Sequence, residues 1–481
     1  MWCFLVILLL FNNYVIFAQS IPLLLLVSFD GFRHDYPKLH GPLKNFQRLE
    51  QRGVHAQKMI STFATATFPN HYTLITGLYE EVHGIISNNM YDPKTNLTFE
   101  QSDNMTNNQW WPYPTIWSIN EQRKGGRSGV VGWPQDSIRI SKYQPFSRSR
   151  SFRDIIDQML LWFNDPIEPI NFGAMYFYEP DRTGHQTGPY SKNMTTMVRE
   201  CDEFLGYLLD KIDTNEKLRK NLHLIVTSDH GMEQINGTNN PIYLEDYVDH
   251  TKIRSFGVPP VTNIFVQSSN DINIVLKNLS RIPHSQSYKR QDIPDRYHYK
   301  NHERIGDIVV ICEPGYEINH HPSRGGKKYN SSLIHGNHGY DNQVDSMKTI
   351  FYASGPQFKQ NFTLDNSSSL YNIDLFGLMC IILNIDKCPS SNGSLENIQP
   401  FLINPTKTFH MINNLQDKII YAIALFGIIS VILLAITWTI IAFRSIFVVK
   451  QQTSSDLSDH LTRGEYQVNN PGISKTNDEQ V

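Results

Sequence analysis

Two nearly continuous apolar runs in this 481-residue chain stop abruptly at an acid. Leu23-Leu24-Leu25-Leu26-Val27-Ser28-Phe29 ends at Asp30-Gly31, and Leu222-His223-Leu224-Ile225-Val226-Thr227-Ser228 ends at Asp229-His230-Gly231. A strand with one wet face alternates polar and apolar residues, whereas a run like these reads as a strand covered on both faces, as in a parallel sheet between helices. Ile308–Cys312 and Thr349–Ala353 read as further apolar strands. Helical spacing appears between the runs. Met197, Phe204, Leu205, Leu208, Leu209 and Ile212 share one helix face, and Ile155, Ile156, Met159, Leu160 and Phe163 share another. Strands alternating with helices predict an α/β fold with a largely parallel central sheet flanked by helices. Ligands of such sheets bind at the carboxyl ends of strands, where Asp30 and Asp229 fall. Residues 93–115, polar and rich in Asn, Trp and Pro, read as a surface excursion.

Two other apolar segments set an expected topology. Residues 1–18 read as a signal peptide, although no Lys or Arg precedes the apolar stretch. Residues 419–443 are uncharged and long enough for a transmembrane helix. Arg444 and Lys450 follow it, so the positive-inside rule puts residues 444–481 in the cytosol. The expectation is a single-pass type I protein of the cell membrane, with an extracellular domain over 19–404 and a stalk over 405–418. Asn-x-Ser/Thr glycosylation sequons at Asn96, Asn104, Asn193, Asn236, Asn278, Asn330, Asn361, Asn366 and Asn392 all lie between the two segments. Cys380, Cys388, Cys201 and Cys312 remain after the leader, an even number suited to disulfides. Cys380 with Cys388 would clip a short loop and leave Cys201 with Cys312, though four cysteines allow three pairings. The net charge of −3 gives no electrostatic case for a nucleic-acid partner.

Three segments combine Asp and His near strand ends or in tight turns: Asp229-His230-Gly231, Asp181-Arg182-Thr183-Gly184-His185, and His338-Gly339-Tyr340-Asp341-Asn342. Asp30 adds another carboxylate. Carboxylate oxygens and imidazole nitrogens without thiolates suit catalytic Zn²⁺ or a similar cation. Each segment alone is weak, since an Asp-His turn is more often a hydrogen-bonded turn than a ligand pair, and Asp181 alone also reads as a helix cap. The fourth motif is Ala66-Thr67-Phe68-Pro69-Asn70-His71-Tyr72. Pro69 suits a first helical turn, which places Thr67 at a helix N-terminus, a position that favours anions. Read in isolation, Thr67 is more simply an N-cap.

Together with Phe29-Asp30-Gly31-Phe32-Arg33, Thr76-Gly77-Leu78-Tyr79, His83-Gly84-Ile85, Asn88-x-Met90-Tyr91-Asp92 and Glu179-Pro180-Asp181, these motifs resemble the ectonucleotide pyrophosphatase/phosphodiesterase family, in the family's order. The short chain with its C-terminal apolar segment looks most like the type 4 and type 5 members. The resemblance implies an alkaline-phosphatase-like fold and two Zn²⁺ ions. Carried over by motif, Asp30, Thr67, Asp229 and His230 would hold one ion, and Asp181, His185 and His338 the other. Thr67 would be the nucleophile, and Asn88 would support a phosphoryl oxygen. Members that prefer nucleotides stack the base between aromatics. Phe68 matches one such position, and Phe146, with Tyr143 as the fallback, the other.

The implied activity is hydrolysis of phosphodiester and pyrophosphate bonds in nucleotides through a covalent threonine intermediate. Two departures bear on substrate. Ala66 stands where many members carry Lys, and Tyr178 replaces the first Glu of a Glu-Glu-Pro-Asp motif. Loss of the lysine charge weakens the case for nucleoside triphosphates and favours NAD, dinucleoside polyphosphates and ADP-like substrates. The alternatives are a lipid or choline-headgroup phosphodiesterase on the same fold, since an aromatic can also face a choline cation, and a catalytically silent adhesion or receptor domain.

Overall fold

The Leu23–Phe29 run forms a strand near the middle of an eight-stranded sheet in the computed structural model, which describes residues 21–100, 108–135, 140–235, 241–321, 335–365, 368–404, 434 and 436–441. The strand order is Phe362–Leu364, Val54–Met59, Thr349–Ser354, Leu222–Thr227, Leu23–Phe29, Phe172–Phe177, Ser128–Val131 and Lys142–Gln144. Every pairing is parallel except the two made by Thr349–Ser354, which runs antiparallel to both neighbours. The largely parallel sheet expected from the sequence is therefore present.

Alternation along the central strand builds two cores. Leu24 and Leu26 point into one, shared with the Thr67–Thr76 and Leu375–Ile382 helices. Leu23, Leu25, Val27 and Phe29 point into the other, shared with the Phe152–Phe163 and Lys192–Thr214 helices. A strand with both faces buried thus separates two helix layers, which is why it shows no polar alternation. Ile155, Ile156, Met159, Leu160 and Phe163 are all buried, as are Leu205, Leu208, Leu209 and Ile212.

Some expectations do not hold. Ile308–Cys312 lies outside the central sheet, in a four-stranded antiparallel sheet with Ile253–Val258, Val261–Val266 and Ser285–Lys289 over its own small core. A strand covered on both faces reads the same in either kind of sheet. The 93–115 stretch is not simply a surface excursion. Asn89–Asp92 and Leu97–Glu100 pair as a hairpin, and Phe99, Trp110 and Trp111 are buried together in the main core. Cys380 and Cys388 form the expected disulfide. Cys201 and Cys312 do not pair: both are free and buried, one in the helix core of the central sheet and the other in the core of the antiparallel sheet.

The expected membrane placement is also corrected. Among the described residues, no helix is long and apolar enough to cross a membrane. Within 419–443 the described residues are 434 and 436–441, all helical. The leader 1–18 and the tail 444–481 lie outside the described residues. The chain divides into two units, Met1–Pro405 and Thr406–Val481. Of the sequon asparagines, Asn96, Asn193, Asn361 and Asn392 are exposed and Asn278 is half-buried, while Asn104, Asn236, Asn330 and Asn366 are outside the described residues.

Candidate active site

Three neighbouring parallel strands each deliver an acid at the same edge of the sheet. Asp30 directly follows Leu23–Phe29, Asp229 follows Leu222–Thr227 and Ser228, and Asp181 opens a short helix after Phe172–Phe177. The register aligns Ser28 with Thr227 and Phe29 with Phe177, so the acids converge. Asp181 N–H donates to Asp30 O at 3.0 Å. Gly31 allows that approach: its φ is +66°, and a Cβ there would lie 2.9 Å from Asp181 Cα.

Histidines complete the cluster. His230 Nε2 lies 3.2 Å from Asp30 Oδ1, 3.1 Å from Asp229 Oδ2 and 3.1 Å from Thr67 Oγ1. His338 stacks on His230 with ring centroids 3.5 Å apart, and its Nε2 is 3.6 Å from Asp181 Oδ1. His185 Nε2 is 3.3 Å from the same oxygen. Ligand atoms of Asp30, Asp229 and His230 lie within 4.8 Å of one another, as do those of Asp181, His230 and His338. The structure thus brings together all seven residues expected to hold metal. It also places His230 between the two groups, and it reaches His185 through Asp181.

The donor chemistry fits a cation. Asp30 Oδ1, Asp181 Oδ1 and Asp229 Oδ2 are buried and accept no hydrogen bond among the described residues, an arrangement that is costly for carboxylates without a counter-charge. The Nδ1 atoms of His230, His185 and His338 each face a backbone carbonyl at 2.9 Å, of Gly231, Gly336 and Thr65 respectively. A carbonyl only accepts, so each Nδ1 carries the hydrogen and each Nε2 turns toward the acids, the tautomer of a ligating histidine. Burial and the charges of Asp229 and Asp181 push the Asp30 carboxyl up to about 7. Burial opposes a charged His230, but Asp229 and Asp30 outweigh it and lift the imidazole to about 10, a call for positive charge where Nε2 points. Burial and the neighbouring His230 charge push His338 down to about 3.

Thr67 is the first residue of its helix, with Ala66 at the cap position, and no side chain caps the end. Its hydroxyl is directed at His230 instead, which sets aside the plain capping role. Asn88 Oδ1 accepts from Phe68 N–H at 2.9 Å, so the amide nitrogen of Asn88 is the end left for a ligand. Phe68 itself is only 2% exposed and packs against Phe99 and Trp111, which encloses the ring within the core. Phe146 is half-buried, edge-on to Tyr176 and Tyr178, and Tyr143 is half-buried on the sheet's edge strand.

Two participants escaped the sequence reading. Tyr176, whose hydroxyl donates to Asp30 Oδ2, sits inside an apolar strand and looked like core. His71 lay within the threonine motif without a role; its Nδ1 donates to Thr67 O at 2.8 Å and its Nε2 meets Ser28 Oγ at 2.9 Å. It thereby ties the Thr67–Thr76 helix to the central strand.

A sequence model of the type I phosphodiesterase / nucleotide pyrophosphatase family matches residues 24–341, which span this whole constellation from Asp30 to His338. The chain belongs to that family. It is 38% identical to ectonucleotide pyrophosphatase/phosphodiesterase family member 5 of Homo sapiens over 79% of this chain and 77% of that protein. It is 35% identical to the bis(5'-adenosyl)-triphosphatase enpp4 of Xenopus laevis over 80% of this chain and 83% of that protein. A solved structure of murine family member 5, an inactive threonine-to-alanine variant in complex with AMP, superposes with a TM-score of 0.73 at 36% identity, covering 79% of this chain and all of that one. Family membership makes the chain a phosphodiesterase-type hydrolase with the alkaline-phosphatase-like α/β fold.

Proposed function

We propose that the protein hydrolyses phosphodiester and pyrophosphate bonds of nucleotides through a phosphothreonine at Thr67, with two zinc ions as cofactors. The observation that carries the reading is the Thr67 hydroxyl, unspent on capping and 3.1 Å from His230 Nε2 beside three unsatisfied carboxylate oxygens. Asp30, Asp229, His230 and Thr67 would hold one ion, and Asp181, His185 and His338 the other. Bound there, the ions supply Lewis acidity that lowers the pKa of the Thr67 hydroxyl and neutralises charge on the phosphoryl and leaving oxygens.

The protein's own groups do the rest. The helix that begins at Thr67 directs its positive end at the phosphoryl group. The Asn88 amide donates to a non-bridging oxygen as charge builds there. Thr67 Oγ forms the new bond to phosphorus while the bond to the leaving oxygen breaks; the hydroxyl proton passes to solvent and the leaving oxygen takes one up. Water then cleaves the phosphothreonine, releasing a nucleoside monophosphate and restoring the hydroxyl, so one water is consumed overall.

The printed name of the frog relative and the AMP held by the murine one both support nucleotides. Ala66, with no charge to hold an extended phosphate chain, favours NAD, dinucleoside polyphosphates and ADP-like substrates. Phe146, half-buried, would be the aromatic to meet a base, because Phe68 is enclosed. The test is a panel of p-nitrophenyl-TMP, diadenosine polyphosphates, NAD, ADP and glycerophosphocholine on the purified protein with zinc. Nucleotide turnover, abolished by Thr67→Ala in a folded protein, is expected. Turnover of glycerophosphocholine alone, or full activity in Thr67→Ala, would refute the proposal.

A further inference from the structure

Thr65, two residues before Thr67, makes three hydrogen bonds to a single turn of the chain. Its hydroxyl donates to Tyr340 O at 2.9 Å and accepts from Gly339 N–H at 3.1 Å. Its carbonyl accepts from His338 Nδ1–H at 2.9 Å. The residue is completely buried. On its other side the turn meets the small antiparallel sheet: Gly339 has φ +115°, and a Cβ there would lie 2.9 Å from Val258. The turn is therefore held between Thr65 and the start of the Val258–Val261 hairpin. The segment that carries Thr65 is fixed in turn by Asn70, whose amide bonds Ala64 O and Ala66 O at 3.0 and 3.1 Å.

We infer that Thr65 is a positioning residue: its hydroxyl and carbonyl set the distance and ring orientation of His338 relative to Thr67, and so couple the two halves of the site. The inference rests on the reading of Thr67 and His338 given above. The backbone carbonyl fixes the His338 tautomer and leaves Nε2 bare toward Asp181. The hydroxyl holds the main chain on the next two residues, so the ring can neither swing nor slide away from His230, on which it stacks. Asn337 adds one more tie, accepting His338 N–H at 2.9 Å while donating to Glu317 at 2.7 Å, but that tie does not reach the Thr67 side. Thr65 bonds to the turn from that side, and Asn342 Nδ2 donates to Ser61 O at 2.9 Å just beyond it.

Thr65→Val keeps the shape and removes the hydroxyl, and Thr65→Ser keeps the hydroxyl and removes the methyl. Full-length variants are compared by chelator titration of bound zinc, by thermal melting, and by kcat and KM on p-nitrophenyl-TMP. Loss of a partner that orients a ligand typically costs ~10–100-fold in metal affinity or activity. Thr65→Val is expected to release one metal equivalent at ~10–100-fold lower chelator than wild type and to lose kcat by a similar factor, with KM little changed. Thr65→Ser is expected to stay within about threefold of wild type in both. Wild-type zinc retention and kcat in Thr65→Val would overturn the inference, as would equal damage in Thr65→Ser, which would make the role one of packing. If Thr65→Val fails to fold, Thr65→Ser decides by the same threefold criterion. If wild type binds zinc but turns over no nucleotide, the proposed reaction fails while the zinc titration still decides the role of Thr65. A wild-type chain that takes up no metal overturns both.

Discussion

Asn70 makes four hydrogen bonds from one side chain. Its Oδ1 accepts from Thr62 N–H and Asn372 Nδ2 at 3.0 and 2.7 Å, and its Nδ2 donates to Ala64 O and Ala66 O. Only an amide offers two donors and two acceptor lone pairs in one plane. Asn70→Ala would leave these buried partners unmet, so a stability loss of roughly 2–4 kcal/mol is expected from denaturant unfolding. A midpoint equal to wild type would contradict that network. Tyr176 works on the opposite side, donating to Asp30 Oδ2 from a fully buried position where desolvation, and then Asp30, hold its own proton on. Tyr176→Phe should therefore weaken zinc retention or kcat by ~10–100-fold without unfolding the sheet. Retained zinc affinity and kcat in that variant would show that the hydrogen bond is incidental.

The strand ends carry the site at the next scale up. Leu23–Phe29, Phe172–Phe177 and Leu222–Thr227 lie side by side, and the turn after the first presses on the helix that opens with Asp181. Gly31→Ala would force a side chain into a left-handed backbone position and against Asp181 Cα at 2.9 Å. The expected outcome is a lower melting temperature together with loss of zinc binding, since the displaced residue is a proposed ligand; a variant that melts lower yet binds zinc normally would separate the two. The central strands were legible because burial on both faces leaves an unmistakable run, and the helices because Ile155 to Phe163 and Leu205 to Ile212 keep a regular apolar face. Ile308–Cys312 reads correctly as a strand, but its apolar run does not tell which of the two sheets it joins. Trp110 and Trp111 were hidden among polar neighbours. The candidate ligand residues are visible as family motifs, while Tyr176 and Thr65 are not, because a tyrosine in a strand and a threonine in a loop have ordinary structural uses.

The whole molecule brings three acids and several imidazoles into a buried cluster, and the repulsion among the acids is a cost that a cation would offset. Binding that occurs only in the native state adds stability by mass action, about 2.7 kcal/mol at a hundredfold excess over Kd. Zinc should raise the melting temperature and a chelator should lower it, read by calorimetry on the same preparation. A melting temperature indifferent to both would contradict a native metal site. The Cys380–Cys388 bond closes a short loop beyond the Leu375–Ile382 helix.

The reversed strand Thr349–Ser354 has a consequence for the order in which this site is assembled. Because it runs against its neighbours, it begins at the sheet edge where the acids sit, and the chain passes from the His338 turn into it through residues 343–348 alone, with no crossover helix. During synthesis, Asp30, Thr67, Asp181, His185, Asp229 and His230 all leave the ribosome more than a hundred residues before His338. This strand pairs between Leu222–Thr227 and Val54–Met59. The nascent chain therefore carries six of the seven residues ahead of the last, and a product truncated before residue 338 lacks His338 alone among them.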